Sequence, residues 1–427
     1  MNENGGKKRL LGIWVARQAL PEREINRCAV ESSSLLHYSP CLSVRRSDEI
    51  RKGWRNIMYR IKSAFVLLAA IAVILAACAP AATPAPAQPA APTAPPAAPA
   101  ATEPPAAAPA AMTSSGYVIP PQACAPNCAY TDMVVGFIQT GPEGAWRTAN
   151  NASFDEYAQQ QGITLKVYDA QGKVENQISA FHTFNQDPTV NVIILAADDT
   201  KGFDDVLQEA KANGKLVVLE DRTVDSSADL YYTRIGSDFV DEGQKAAAAM
   251  CDLLSSFDKK NVVEVSGAVG AGAGIDRAKG FRQKMGDCGI TITASQTGNW
   301  AVADSKAVVE AWLKDPTLKD FQGVFAHNDE EALGAIQAIE EAGLVAGKDV
   351  MVVGVDATKD GFAALIDGTL GADIECNPLL GPQVLDAALK GLNGDATMPS
   401  YVPSQEGEFF AAQGADALKA ILPTRKY

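Results

Sequence analysis

The 427-residue chain predicts an α/β protein of two doubly wound parallel-sheet lobes joined by a hinge. Three observations carry this expectation. After Tyr130, short β-branched runs alternate with longer amphipathic segments, the pattern of βα units and of parallel sheets covered by helices. The apolar runs are continuous rather than alternating, as in strands buried on both faces. Ten strand candidates divide better between two sheets than into one.

In chain order the strand candidates are Met133–Gln139, Thr164–Asp169, Val190–Leu195, Lys215–Glu220, Tyr231–Gly236, Asn261–Gly267, Ile290–Gln296, Gly323–His327, Val350–Asp356 and Leu370–Glu375. Helical segments between them include Trp146–Gln161, Val174–Asn185, Asp204–Asn213, Glu242–Phe257, Ile275–Met285, Asp329–Ala342 and Leu380–Lys390. One break falls in "IGSDFVDEG", where Gly236 and Ser237 separate a strand from a long Ala-rich helix. A second falls in "IECNP", where Pro378 ends a strand. These breaks divide the chain into a first lobe of 131–236 plus 377–402 and a second of 237–376 plus 403–427.

The segments before the lobes read differently. The run Ala64–Ala77 follows a short basic lead, Tyr59-Arg60-Ile61-Lys62. It is shorter than the ~20 residues a membrane span needs and suits the apolar core of a signal peptide. Met58 is a natural start for such a signal, so 1–57 reads as an extension or a misassigned start and 58–77 as the signal. "LAAC", ending at Cys78, resembles the bacterial lipoprotein cleavage box, which implies cleavage before Cys78 and lipidation of its thiol. Residues 78–116 are dominated by Ala and Pro, a composition that forms an extended spacer rather than a core.

Charge is uneven. Up to Ile57 there are 11 Lys+Arg against 6 Asp+Glu, and from Ala79 onward 24 against 45, a net of −21. An acidic body argues against nucleic acid as a partner. With three histidines and no zinc-type cysteine spacing, no metal site is expected. In an exported chain some thiols pair. Cys124 and Cys128 are close enough to close a small loop, and Cys251 and Cys288 are a second candidate pair.

Ligands of open parallel sheets bind outside the carboxyl ends of the strands. The segments there carry Glu143, Trp146 and Arg147; Asp221 and Arg222; Arg277, after a Gly-rich loop; Trp300; Asn328; Asp356; and Asn377. Carboxylates, amides and Arg forks match hydroxyls that both donate and accept, and indoles match the C–H faces of a sugar. No nucleophile–base pair stands out, and His327 reads as a supporting residue. "GAVGAGAG" (Gly267–Gly274) is not a dinucleotide G-x-G-x-x-G, since the sixth position from Gly272 is Arg277; it reads as a turn that lets backbone come close. No Walker motif appears, so no ATP hydrolysis and no cofactor are expected.

"LEDR", "GFRQKM", "AHNDEEALGAIQAIEEAG", "VVGVDATKDG" and "GTLGADIECNP" stand in the order and spacing of ribose-type periplasmic sugar-binding proteins, the receptors of ABC importers. Residues from about 131 to 420 resemble that family, and "VGFIQTGPEGAWRTAN" and "GITLKVYDAQGKVENQI" are similar to its galactofuranose-binding branch. The resemblance implies a type I periplasmic binding protein fold, two lobes joined by crossing strands that close on sugar. It implies that Glu143, Trp146, Arg147, Asp221 and Arg222 on one lobe face Arg277, Trp300, Asn328 and Asp356 on the other. Where ribose-binding members have Gln in the last crossing strand, this chain has Cys376 followed by Asn377, which puts pentopyranose binding in doubt. Repressors share these lobes behind a DNA-binding helix-turn-helix, but here that place holds the signal and spacer. The expectation is a monomeric, non-enzymatic, lipid-anchored extracytoplasmic receptor that delivers a monosaccharide to an ABC transporter permease. The alternatives are a sensor subunit for a receptor kinase and an α/β enzyme using the same cleft.

Overall fold

The computed structural model describes residues 111–427. Cys78, the signal and most of the spacer lie outside the described residues.

Among the described residues, twelve strands form two sheets. The first contains β1 (Val134–Gln139), β2 (Thr164–Asp169), β3 (Val192–Leu195), β4 (Leu216–Glu220), β5 (Thr233–Gly236) and β11 (Tyr401–Pro403), in the order β11-β5-β4-β3-β1-β2. The second contains β6 (Asn261–Ser266), β7 (Thr291–Thr297), β8 (Gly323–Ala326), β9 (Met351–Asp356), β10 (Ala372–Glu375) and β12 (Glu408–Phe410), in the order β12-β10-β9-β8-β6-β7. The two orders are the same. Every pairing is parallel except that of β12 with β10.

The inner strands β3, β4 and β8 are buried along their whole length, as their uninterrupted apolar runs require. The edge strands β2 and β7 differ. "TLKVYD" and "TITASQT" are largely exposed or half-buried, because each has a neighbour on one side only. β11 and β12 are absent from the strands expected above. Each has three residues, and Pro403 ends one of them, so no period could reveal them.

The helices that position the cleft are α1 (Gly144–Gln161), α2 (Val174–Gln186), α3 (Asp204–Ala212), α4 (Phe239–Leu253), α5 (Gly272–Lys284), α6 (Val302–Lys314), α7 (Asp329–Glu341), α8 (Lys359–Asp367), α9 (Gly381–Leu392) and α10 (Ala415–Ile421). Side chains of Asp238, Asn328 and Thr358 cap α4, α7 and α8 by accepting from Asp241 N, Glu331 N and Gly361 N. Helices α4 and α5 meet at glycines. A Cβ on Gly243 would lie 2.1 Å from the Arg277 carbonyl oxygen, and one on Gly280 would lie 2.0 Å from that of Val240. This approach fixes the helix that carries Arg277.

Apolar clusters cover both faces of each sheet. Phe137, Phe154, Val218 and Leu385 represent one side of the first sheet and Ile138, Phe181, Phe203 and Leu219 the other. Val265, Val324, Ile339 and Phe362 face Phe239, Phe281, Phe325 and Val353 across the second. Packing on the first sheet begins before the expected end of the spacer. Met112 bridges to Val118, Thr113 and Tyr117 are buried, and the Tyr117 hydroxyl donates to the Lys215 carbonyl at 3.3 Å. Cys124 is bonded to Cys128 and Cys251 to Cys288.

The chain passes between the sheets three times: after β5, after β10, and between β11 and β12. One carboxylate ties these crossings together. Glu406 Oε1 accepts from Ser237 Oγ in the first, from Asn377 N (3.2 Å) in the second and from Ser404 Oγ (2.7 Å) in the third.

Candidate functional site

The carboxyl ends of the two sheets face each other across a cleft. On the first lobe, β1 ends at Gln139 and the chain turns to Glu143, the residue that precedes α1. The first turn of α1 carries Trp146 and Arg147, both buried. Trp146 Nε1 donates to the Cys376 carbonyl at 2.6 Å, which anchors this wall to the second crossing. Arg147 Nη2 donates to Asp221 Oδ2 at 2.7 Å and to Glu143 Oε2 at 3.1 Å. Asp221 and Arg222 leave the end of β4, and Arg222 Nη2 donates to Glu143 Oε2 at 2.7 Å.

These ion pairs are desolvated, so their energies are large and opposed. Burial pushes the Glu143 carboxyl up, but Arg222 and Arg147 outweigh it and hold the group below the usual range. Burial pushes Arg147 down, but Asp221, Glu143 and Glu220 outweigh it, so the guanidinium stays charged. Glu220, behind the wall, is pushed up to about 8 by burial and by Asp221.

On the second lobe, Arg277 projects from α5. Its Nε donates to Glu242 Oε2 at 2.7 Å and its Nη1 to the His327 carbonyl at 2.7 Å, while Nη2 stands 3.7 Å from Asp356 Oδ1. His327 is fully buried and 3.3 Å from Glu264, and burial pushes its imidazole pKa down. Asn328 follows β8 and Asp356 ends β9. Burial pushes the Asp356 carboxyl well above the usual range, against the pull of Arg277. Trp300 follows β7, and its backbone N donates to Glu331 Oε1 at 3.0 Å. A Cβ on Gly267 would lie 1.9 Å from Trp300 Cη2, so the expected close approach in the Gly-rich loop is made by an indole.

Strain is concentrated here. Asp221, Trp300 and Asp356 have φ of 57°, 60° and 121°, values that non-glycine residues rarely adopt. Such conformations persist where surrounding contacts over-determine them, and they cluster at functional sites.

Glu143, Trp146, Arg147, Asp221, Arg222, Arg277, Trp300, Asn328 and Asp356 line one cavity, with Ala273 and Cys376. The tenth expected residue does not. Asn377 turns into the crossing, where its Oδ1 accepts from Leu379 N at 2.9 Å and its Nδ2 donates to the Gln405 carbonyl at 3.4 Å. The adjacent Cys376 takes its place in the wall, and burial holds it as a thiol.

The space left free between these side chains is small, about 30 Å³. Buried atoms without a hydrogen-bond partner on its lining residues include Arg147 Nη1, Arg222 Nε and Trp300 Nε1, all donors; the two arginine nitrogens keep only longer ion pairs, with Glu220 at 3.6 Å and Asp221 at 3.7 Å. Arg222 and Arg277 stand 5.6 and 5.9 Å from the Trp300 ring. Guanidinium forks, carboxyl acceptors and indole faces around a small space suit a compact polyhydroxylated molecule. The lobes also touch each other directly. Ala145 N at the start of α1 donates to Glu330 Oε1 at 2.8 Å, and Thr200 N donates to the Gly270 carbonyl at 3.2 Å.

Comparison with known proteins is consistent with this geometry. The model of the periplasmic binding protein domain matches residues 135–395. The galactofuranose-binding protein YtfQ of Escherichia coli is 38% identical over 272 residues, 62% of this chain and 84% of that protein. The ribose import binding protein RbsB of Bacillus subtilis is 31% identical over 255 residues, 58% of this chain and 80% of that protein. Among solved structures, the binding protein of the arabinose ABC transporter from Shewanella sp. ANA-3, bound to α- and β-L-arabinofuranose, superposes with a TM-score of 0.65 at 38% identity, covering 69% of this chain and 96% of that one. A Mycobacterium smegmatis protein in complex with β-D-fucofuranose superposes with a TM-score of 0.64 at 41% identity, covering 69% and 95%.

Proposed function

This chain belongs to the periplasmic binding protein family, among the sugar-binding proteins of ABC-transporter type, and from that premise we propose that it captures a monosaccharide in its five-membered furanose form and hands it to a membrane permease. The observation that carries the reading is the cavity itself. Its walls come from both lobes, with Arg147, Arg222 and Trp146 on one and Arg277, Asn328, Asp356 and Trp300 on the other. The furanose form is supported by the sugars named in the two solved relatives, and by Cys376 standing where ribose-binding members have Gln.

Mechanism follows from the geometry. A sugar on one lobe meets only half of its partners, and closure supplies the rest. Contacts made only in the closed form shift the open–closed equilibrium by their own free energy. The arginine forks donate to ring and hydroxyl oxygens, Asp221 accepts from hydroxyls, and the indoles cover C–H faces. Asp356, with its raised affinity for a proton, can both donate and accept. Export, lipidation at Cys78 and delivery to the permease belong to the same proposal.

Titration calorimetry with a panel of furanoses and pyranoses tests it. The expected result is binding of furanoses, with unchanged sugar recovered after incubation. Binding of pyranoses alone would overturn the ring-form assignment, and binding of no sugar would overturn the function. Turnover of the sugar would replace it with an enzyme.

A further inference from the structure

The turn 356–358, between β9 and α8, carries Asp356, and both Asp356 and Ala357 have positive φ, 121° and 59°. Three donors of this turn end on two carboxyls outside the cavity lining. Ala357 N donates to Asp373 Oδ1 at 3.1 Å, while Thr358 N and Thr358 Oγ1 donate to Asp329 Oδ2 at 2.7 and 2.6 Å. From the C-terminal segment, Arg425 Nε and Nη2 hold the Ala357 carbonyl at 3.1 and 2.8 Å.

Asp329 and Asp373 are both 0% exposed. The nearby cations are engaged elsewhere, Arg277 with Glu242 and Arg425 with Glu375. Asp329 Oδ1 and Asp373 Oδ2 have no hydrogen-bond partner among the described residues. A Cβ on Gly361 would stand 2.3 Å from Asp329 Oδ2 and 2.5 Å from Asp373 Oδ2, so both carboxyls converge on bare glycine backbone. Two ionised carboxylates placed this way repel each other at low dielectric. One proton turns the repulsion into a short charge-assisted bond.

We propose that Asp373 and Asp329 form an acid–carboxylate pair sharing one proton, and that this pair is a positioning device that aims Asp356 at the sugar by holding the 356–358 turn. The proposal rests on the reading of the cleft as a sugar site. Asp373 is the donor, because Asp329 already accepts twice from Thr358. Burial pushes Asp329 up to about 7, and burial together with Asp329 pushes Asp373 well above the usual range. Glu330 acts on Asp329 and Asp356 on Asp373, each raising its pKa, while Arg277 and Glu242 act on Asp356.

Asp373→Asn keeps a donor for Asp329 and an acceptor for Ala357 N, whereas Asp373→Ala has neither. D373N is expected to bind sugar within about threefold of wild type, and D373A to bind about tenfold or more weakly. As pH rises through the shared proton's pKa, wild-type affinity falls, and the D373N profile lacks that step. The infrared difference spectrum, wild type minus D373N at neutral pH, should show a carboxylic-acid C=O band. The proposal is overturned if D373N fails to fold, if it loses binding as D373A does, or if the difference band is absent. A wild type that binds no sugar would overturn the sugar reading alone, because the infrared band does not depend on sugar.

Discussion

Substituting Gly267 by Ala tests the architecture of the cleft at its tightest point. The new Cβ would lie 1.9, 2.0 and 2.3 Å from Trp300 Cη2, Cζ2 and Cζ3. Carbon–carbon contact becomes favourable near ~3.5 Å, so the indole must move by about 1.5 Å. Its backbone is held by the bond to Glu331 and by a φ of 60°. Trp300 lines the cavity, and Arg222 and Arg277 stand 5.6 and 5.9 Å from its ring, so a displaced indole disturbs the site. Overpacking of this kind costs about 1–3 kcal/mol. Charged to the sugar complex, that is a rise in Kd of roughly 5- to 150-fold. Titration calorimetry with the sugar that wild type binds measures it. Gly274→Ala is the control, because its Cβ would meet nothing nearer than 3.7 Å; it should bind like wild type. The reasoning fails if G267A binds as tightly as wild type, or if G274A loses as much.

Further predictions concern closure, charge and the disulfide. Glu330→Ala removes the interlobe bond from Ala145 N and the bond from Asn328 Nδ2, at 2.8 and 2.9 Å. It should weaken sugar binding by about 3- to 30-fold, with smaller sugar-induced compaction in X-ray scattering; full compaction would refute the contact's role. Glu143 is held below the usual glutamate range by Arg222 and Arg147 against burial. Its stabilising contribution is therefore present above about pH 4.3 and is lost as pH falls through the lower folded value. Acid titration of stability should show this loss in wild type and not in Glu143→Gln. Replacing Cys251 and Cys288, 37 residues apart, by Ser should lower stability by about 3–4 kcal/mol in the chain-entropy account, read by urea denaturation. Trp146→Phe loses the bond to the Cys376 carbonyl and should raise Kd by about fivefold, the weight of one buried hydrogen bond.

Much of the cleft was legible because parallel α/β topology dictates where to look. Asp221, Arg222, Asn328 and Asp356 sit at or next to strand ends, and finding the strands finds them. Trp146 and Arg147 follow from the same rule through the first turn of α1. Cys376 and Asn377 show its limit. Both follow β10, and which of them faces the cavity depends on hydrogen bonds to Leu379 and Gln405 that no local pattern encodes. Glu406 is harder still, since its partners Ser237 and Asn377 lie 169 and 29 residues away. Asp373 shares its short strand with a second acid, Glu375, and only its convergence with Asp329 on Gly361 gives it a role.

The repeated strand order has a consequence for orientation. Two sheets with the same strand order, their carboxyl ends facing each other, make a frame with approximate two-fold character. Such a frame has no built-in up or down. A sugar, however, is chiral and has two unlike faces. The direction in which it sits must therefore come from side chains that break the symmetry: two arginines with Glu143 and Asp221 on one wall, and one arginine with Asn328 and Asp356 on the other. Specificity for one anomer or epimer can then change through a few substitutions on a single wall, while the scaffold and its motion stay as they are.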